Sequence, residues 1–327
     1  MSPELILVII LSLIFEFLNG MRDSSNIVAT MISSRAFRPQ TALGITAIAE
    51  FSGPFLFGVV VAKTISRDIV NSHLLTLDAL VACLIGTIIW NLITWFFGIP
   101  SSSSHALIGG LMSAVFISAG ADGIKLQGIY KVLVALFVSP VIGFIFGFIV
   151  LRIIYYLARH ATPRINDLFK SGQFFTAVGL AFSYGANDAQ KTIGIITLSL
   201  VIGGQLNNFT APIWVILLSA STMALGTALG GWRLIRTLGG KFYKIRPVHS
   251  FATQMTSAIV ILSASLVGLP VSTTQVVSSA IIGVGASERF GKVRWGVAGD
   301  ILIAWIVTIP ASALLSAGIY WLIFLVK

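Results

Sequence analysis

Four acidic residues stand inside strongly apolar runs, Glu16, Asp23, Glu50 and Asp188, with Arg22 and Lys191 beside the two aspartates. Charge in such a run is costly and is kept where it works on ions, protons or a bound molecule, or where it is paired. For Glu16 a buried structural pair with Arg22 and a functional role stand side by side. Asp23 and Asp188 each neighbour Gly and Asn, a combination that reads as a place for a helix to open and free carbonyl oxygens beside a carboxylate and an amide. That cluster of hard oxygens suits Na+, and protonation of the same carboxylates suits H+; the residues leave both open. A second kind of site follows Pro100 and Pro270, where Ser101–Ser104 and Ser272–Thr274 form hydroxyl runs. Proline favours the first turn of a helix, and a helix N-terminus presents unpaired N–H groups to an anion. Two such starts facing one another would hold a tetrahedral oxyanion; the plainer alternative is hydroxyls that cap or join packed helices. His105, at the end of the first run, reads as a proton relay, a donor to the anion or a structural histidine.

The elements that position these residues must be membrane helices. Of 327 residues, 56% are hydrophobic and only 10% charged, against roughly 25% charged in soluble domains. At about 20 residues per span, the chain supplies on the order of ten spans and no separate soluble domain. The net charge of +10 sits mainly in short loops, where it orients helices in a bilayer; nucleic acid is not an expected partner. The apolar start carries Glu4 and no basic residue ahead of it, so it reads as the first membrane helix and not a secretory signal. Cys83, the one cysteine, reads as a packing residue. No Walker-type run supplies an ATPase engine.

The motifs repeat. Gly20–Asn26 aligns with Gly185–Lys191, Asp23 preceding Asp188 by 165 residues, and Gly98–His105 aligns with Gly268–Gln275, Pro100 preceding Pro270 by 170. This is a duplicated unit, with halves at 1–158 and 172–327 and a basic linker at 159–171. Arg35 and Arg38 follow the first motif while the matching 203–209 is uncharged, and Arg233–His249 is strongly basic where Lys63–Asp78 is balanced. Equivalent loops therefore fall on opposite sides of the membrane, the inverted repeat of many secondary transporters. The expected fold is an all-α polytopic membrane protein of about 10–12 segments, with broken helices and re-entrant half-helices; 26–37 and 102–119 are too short to span and read as half-helices. Gly143-x-x-x-Gly147 and Gly226-x-x-x-Gly230 fit close helix packing.

The Asp motifs, Gly20-x-x-Asp23-x-x-Asn26 and Gly185-Ala186-Asn187-Asp188-Ala189-Gln190-Lys191-Thr192, together with the Pro-Ser-Ser-Ser-Ser-His and Pro-Val-Ser-Thr-Thr runs, resemble those of the PiT family of inorganic phosphate transporters. The likeness extends over about residues 15–300. It implies cation-coupled phosphate uptake, a midplane site, a homodimer surrounded by lipid, and a multi-pass protein of the cell membrane. The implied phosphate set is Asp23, Ser102, Ser103, Ser104, Asn187, Asp188, Gln190, Ser272, Thr273 and Thr274. The implied coupling-ion set is Asp23, Asn26, Glu50, Asn187, Asp188 and Gln254. Gln254 stands where a second family Glu is expected and Gln275 where many members have His, so two titratable groups are absent from the second half.

The expectation is thus a secondary transporter, not an enzyme, that takes up inorganic phosphate with Na+ or H+ by alternating access and needs no cofactor beyond the coupling ion. Sulfate or a related oxyanion is the alternative substrate. A channel leaves the paired helix starts unexplained, and a hydrolase built on Ser101–Ser104 with His105 is at odds with Gln275 at the equivalent position.

Overall fold

Apolar runs rich in Leu, Ile, Val and Phe, closed off by Gly, Pro, Ser and Thr, fold as helices throughout. The computed structural model describes residues 1–33, 37–99, 101–230 and 246–326. The helices are α1 (Pro3–Ser33), α2 (Pro39–Phe57), α3 (Val60–Lys63), α4 (Leu77–Phe96), α5 (Ser103–Ala119), α6 (Leu126–Leu157), α7 (Ile165–Tyr184), α8 (Gln190–Ile202), α9 (Ile213–Leu229), α10 (Pro247–Leu266), α11 (Thr273–Glu288) and α12 (Trp295–Val326). There are no strands among the described residues. Local chemistry sets several starts. Pro39 and Pro247 open α2 and α10, where a missing N–H costs nothing, and the Thr76 hydroxyl accepts the Ala79 N–H to cap α4. Gly58, at φ 74°, lets the chain bend by 70° between α2 and the short α3, which continues into a π-helical turn over Thr64–Asp68.

The later elements of the two halves correspond one to one. The hairpin α4–α5 matches α10–α11, and the 32-residue α6 matches the 32-residue α12, with Pro140 and Pro310 at equivalent places inside them. At 1.5 Å per residue each is about 48 Å long, more than the roughly 30 Å hydrocarbon layer, so both cross at a tilt. Packing is exchanged between halves: α6 lies against α10 and α11, while α12 lies against α4 and α5. A reciprocal pattern of this kind is the mark of a twofold relation. Among the described residues no extended packing joins the two hairpins; they meet at their tips, where the Ser104 hydroxyl donates to the Val271 carbonyl at 3.0 Å. Hairpins related by a twofold and touching only at their tips enter from opposite faces, as inverted repeats require.

Among the described residues, four helices are long and apolar enough to cross a membrane by themselves, or five counting the bent α2–α3 pair. The others are shorter or more polar because they build the interior. Every residue of α8 from Gln190 to Leu200 is buried, as are Ser103–Leu111 of α5. Leu7, Ile10 and Ile14 of α1, Val141, Ile145 and Ile149 of α6, and Leu302 and Ile306 of α12 instead turn outward. An outward face of this composition is one for lipid chains.

Two expectations change. Residues 26–33 are no half-helix: α1 runs unbroken from Pro3 to Ser33, through Gly20, Asp23 and Asn26. Gly20 is there for close packing, since a Cβ at that position would stand 2.2 Å from the Met223 carbonyl oxygen of α9. In the second half the helical run does widen, into a π turn over Gly185–Ala189, and a Cβ at Gly185 would stand 2.0 Å from the Glu50 carbonyl oxygen. The motif glycines thus admit a neighbouring backbone. Gly226 and Gly143 press on Phe17 and Val276, as small-residue packing predicts. Cys83 is a buried free thiol. Helix α7 begins at Ile165, inside the stretch expected as a linker. Arg35, Pro100 and the basic Arg233, Arg236, Lys241 and Lys244 lie outside the described residues.

Candidate functional site

The two Asp motifs and the two hydroxyl-led helix starts come together between the halves in a crossed arrangement. Asp23 on α1 accepts through Oδ1 from Asn26 Nδ2 at 3.2 Å and from Thr274 Oγ1 at 3.1 Å, and Asn26 Nδ2 also donates to Thr274 Oγ1 at 3.2 Å. The first half's motif is thereby tied to the second half's hairpin tip. At the equivalent place, Lys191 Nζ pairs with Asp188 Oδ1 and donates to Ser104 Oγ at 2.5 Å, tying the second motif to the first hairpin tip. Asp23, Asn26 and Thr274 occupy the same repeat positions as Asp188, Lys191 and Ser104. Both aspartates retain a second oxygen, Oδ2, that is buried without a partner. An orphaned buried carboxylate oxygen is costly unless a ligand completes it.

A second pair of equivalent residues fastens each tip to its own half. Arg22 donates to Asn91 Oδ1 at 2.6 Å and to both the carbonyl and the hydroxyl oxygen of Ser101 at 3.0 Å. Asn187 donates to Ser265 Oγ at 2.9 Å and the Leu269 carbonyl at 3.3 Å, and its Oδ1 accepts the Val271 N–H. Arg22 is therefore spent on the hairpin and forms no ion pair with Glu16. Glu16 instead accepts from Thr192 Oγ1 at 2.5 Å.

The hydroxyl runs divide their work. Ser102 and Ser272 are caps, their Oγ atoms accepting the N–H of His105 at 3.2 Å and of Gln275 at 3.3 Å. Ser103 and Ser104, and Thr273 and Thr274, then occupy the first two positions of their helices, where no carbonyl one turn earlier takes the backbone N–H. The positive ends of α5 and α11 thus converge near the two aspartates. His105 and Gln275 meet across the repeat, with Gln275 Nε2 at 3.4 Å from the imidazole nitrogens. His105 Nδ1 also lies 2.9 Å from Ser102 Oγ, an oxygen already committed to capping.

Other expected residues are brought near with narrower roles. Gln190 has both ends of its amide engaged: Oε1 accepts from the N–H groups of Val61 and Ala62, and Nε2 donates to the carbonyls of Gly58 and Ala186 at 2.6 Å. It braces the bend between α2 and α3. Gln254 lies farther along α10, donating to Thr30 Oγ1 at 2.9 Å and accepting from Thr176 Oγ1 at 2.7 Å. Glu50 accepts from Thr227 Oγ1 at 2.5 Å and keeps a buried Oε1 unpartnered, as Glu16 does. Sequence reasoning missed Thr192 and Thr227, the hydroxyl partners of these two glutamates, and the burial of Asn19 and Tyr184 beside the motifs. Asn19 and Tyr184 occupy equivalent repeat positions, a signal that alignment at the 165-residue offset contains.

Nearly all of these side chains are sealed from the surface. Asp23 is 3% exposed and Asp188 0%, and of the anion-side hydroxyls only Thr274 is half-buried. The arrangement can hold an oxyanion between two helix starts and a cation among buried carboxylates.

Known proteins resemble this chain over nearly its whole length. The family described as the phosphate transporter family matches residues 19–316. A protein of Rhizobium meliloti (strain 1021), described as a probable low-affinity inorganic phosphate transporter, is 42% identical over 321 residues, covering 98% of this chain and 96% of its own length. One of Bacillus subtilis (strain 168) with the same description is 42% identical over 322 residues, covering 97% and 96%. A solved structure titled the sodium-dependent phosphate transporter superposes over 100% of both chains with a TM-score of 0.93 at 24% identity, which shows a shared fold. A helical, multi-pass integral membrane protein and not an enzyme, the chain belongs to the phosphate transporter family.

Proposed function

We propose that this chain takes up inorganic phosphate in symport with Na+ or H+ by alternating access. The observation that carries the proposal is the crossed pair of triads, Asp23–Asn26–Thr274 and Asp188–Lys191–Ser104, set against two converging helix starts. The N–H groups and hydroxyls of Ser103, Ser104, Thr273 and Thr274 supply donors to phosphate oxygens. The buried carboxylates of Asp23, Asp188 and Glu50 supply oxygens to the cation, with the Asn26 amide oxygen beside them. A cation beside Asp23 offsets its negative charge and so lowers the cost of bringing an anion to the same place; each ligand then favours the other. Because each triad joins the motif of one half to the hairpin of the other, rocking the halves opens the site to one face and closes it to the other. The sodium-dependent title of the structural neighbour favours Na+ within this scheme, and the 42% identical relatives favour phosphate.

The units that move in this scheme are residues 1–158 and 172–327, joined by 159–171. The homodimer and its lipid surround that the family resemblance implies belong to the same proposal, supported by the apolar outward faces of α6 and α12. The test is uptake of labelled phosphate into proteoliposomes under an imposed Na+ gradient and then an imposed H+ gradient, with unlabelled sulfate as competitor. Uptake driven by one gradient and indifferent to sulfate supports the proposal. Uptake of sulfate in place of phosphate overturns the substrate, and phosphate flux blind to both gradients overturns symport.

A further inference from the structure

We infer that Lys191 is a resident cation: beside Asp188 its ammonium takes the place that a mobile coupling cation takes beside Asp23, leaving the transporter one exchangeable cation site of this pair, in the first half. The inference deepens the symport reading above and rests on it. The comparison is internal to the molecule, because the two triads are equivalent positions of one repeat. In the first, the neutral Asn26 stands between carboxylate and hydroxyl, and the charge of Asp23 has no ion-pair partner within the triad; the guanidinium of Arg22 is directed to Asn91 and Ser101. In the second, a side chain ending in a positive charge reaches the same two groups, the Asp188 carboxylate and the Ser104 hydroxyl.

Carboxylate and hydroxyl oxygens are the donors a Na+ takes, and a buried carboxylate without a positive partner is costly. A tethered ammonium meets that need permanently, and a mobile ion meets it only when bound. Exposure differs in the same sense. Ser104 is 2% exposed and Lys191 1%, whereas Thr274 of the first triad is half-buried. The site with no positive charge bonded to its carboxylate is therefore the one an ion can reach, and the sealed one carries its own.

The Lys191→Asn substitution gives the second triad the same group types as the first, a carboxylate, an amide and a hydroxyl. In the purified full-length protein, equilibrium binding of labelled Na+ with phosphate present is expected to rise by one ion per chain over the wild type. In proteoliposomes the cation-to-phosphate flux ratio is expected to rise by one, whichever cation drives uptake. A folded Lys191→Asn protein with the wild-type ion count and flux ratio overturns the inference. So does loss of phosphate binding with an unchanged ion count, which makes Lys191 a substrate ligand. Should that variant not fold, the converse Asn26→Lys decides: it is expected to lose the exchangeable cation, and cation binding kept at wild-type strength overturns the inference. Failure of the symport reading is distinguishable, because it shows in the wild type as flux that ignores both gradients.

Discussion

Asp23 and Asp188 are equivalent in the repeat and differ in what a neutral substitution leaves behind. Asp23→Asn keeps an oxygen for Asn26 and Thr274 and breaks no direct ion pair, so the folded state is expected to lose about 1 kcal/mol. Uptake is expected to fall about 100-fold, the scale of losing a hydrogen bond or contact to a charged group. Asp188→Asn strands the buried Lys191 ammonium, and removing one partner of a buried ion pair costs about 3–5 kcal/mol. Thermal unfolding of the two purified variants checks the contrast; equal destabilisation would show that Lys191 does not depend on Asp188. At this scale much of the site was legible. The aspartates, the hydroxyl runs and their 165- and 170-residue offsets can be read from the chain. The bracing role of Gln190, placed by the resemblance in the phosphate set, could not be read, because its partners at Gly58, Val61 and Ala62 are about 130 residues away in sequence and are backbone atoms. The crossing of each motif to the opposite hairpin was equally hidden, since an offset shows which residues are equivalent and not which ones touch.

Between residues and fold stand the helix contacts that bring the motifs into register. The glycines beside the aspartates read in sequence as helix breaks, and packing explains them instead: α9 crosses α1 at Gly20, and α2 crosses the π turn at Gly185. Gly185→Ala would push a methyl group into the Glu50 carbonyl. We expect a loss of about 1–3 kcal/mol, the usual cost of overpacking, together with reduced uptake, measured by unfolding and flux on the same preparation. Gln190→Leu removes the donors and acceptor that hold the α2–α3 bend and leaves the Gly58 carbonyl and the Val61 N–H without their side-chain partner. A buried polar group so abandoned costs about 1–3 kcal/mol, so this variant is expected to unfold at lower temperature than the wild type. A Gln190→Leu protein as stable as the wild type would remove the bracing role.

For the molecule as a whole, the membrane class and the duplication followed from composition and repeated motifs, and the inverted sense is seen in hairpins that meet tip to tip. The relation has a consequence for sidedness. Asp122, between α5 and α6, and Phe290, between α11 and α12, are exposed residues in equivalent loops. Once the buried Cys83 is replaced, a cysteine at one of them is expected to react with a membrane-impermeant thiol reagent from outside, and a cysteine at the other only from inside. Labelling of both from the same side would contradict the inverted arrangement. The central claim is that phosphate and cation share one enclosed site between the halves and stabilise each other there. The most direct measurement is the affinity of the purified protein for phosphate with and without saturating Na+, and for Na+ with and without phosphate, repeated across pH to cover H+. Linkage requires each ligand to tighten the other by the same factor, and we predict a factor of about 5–150. Phosphate affinity independent of both Na+ and pH would contradict the account.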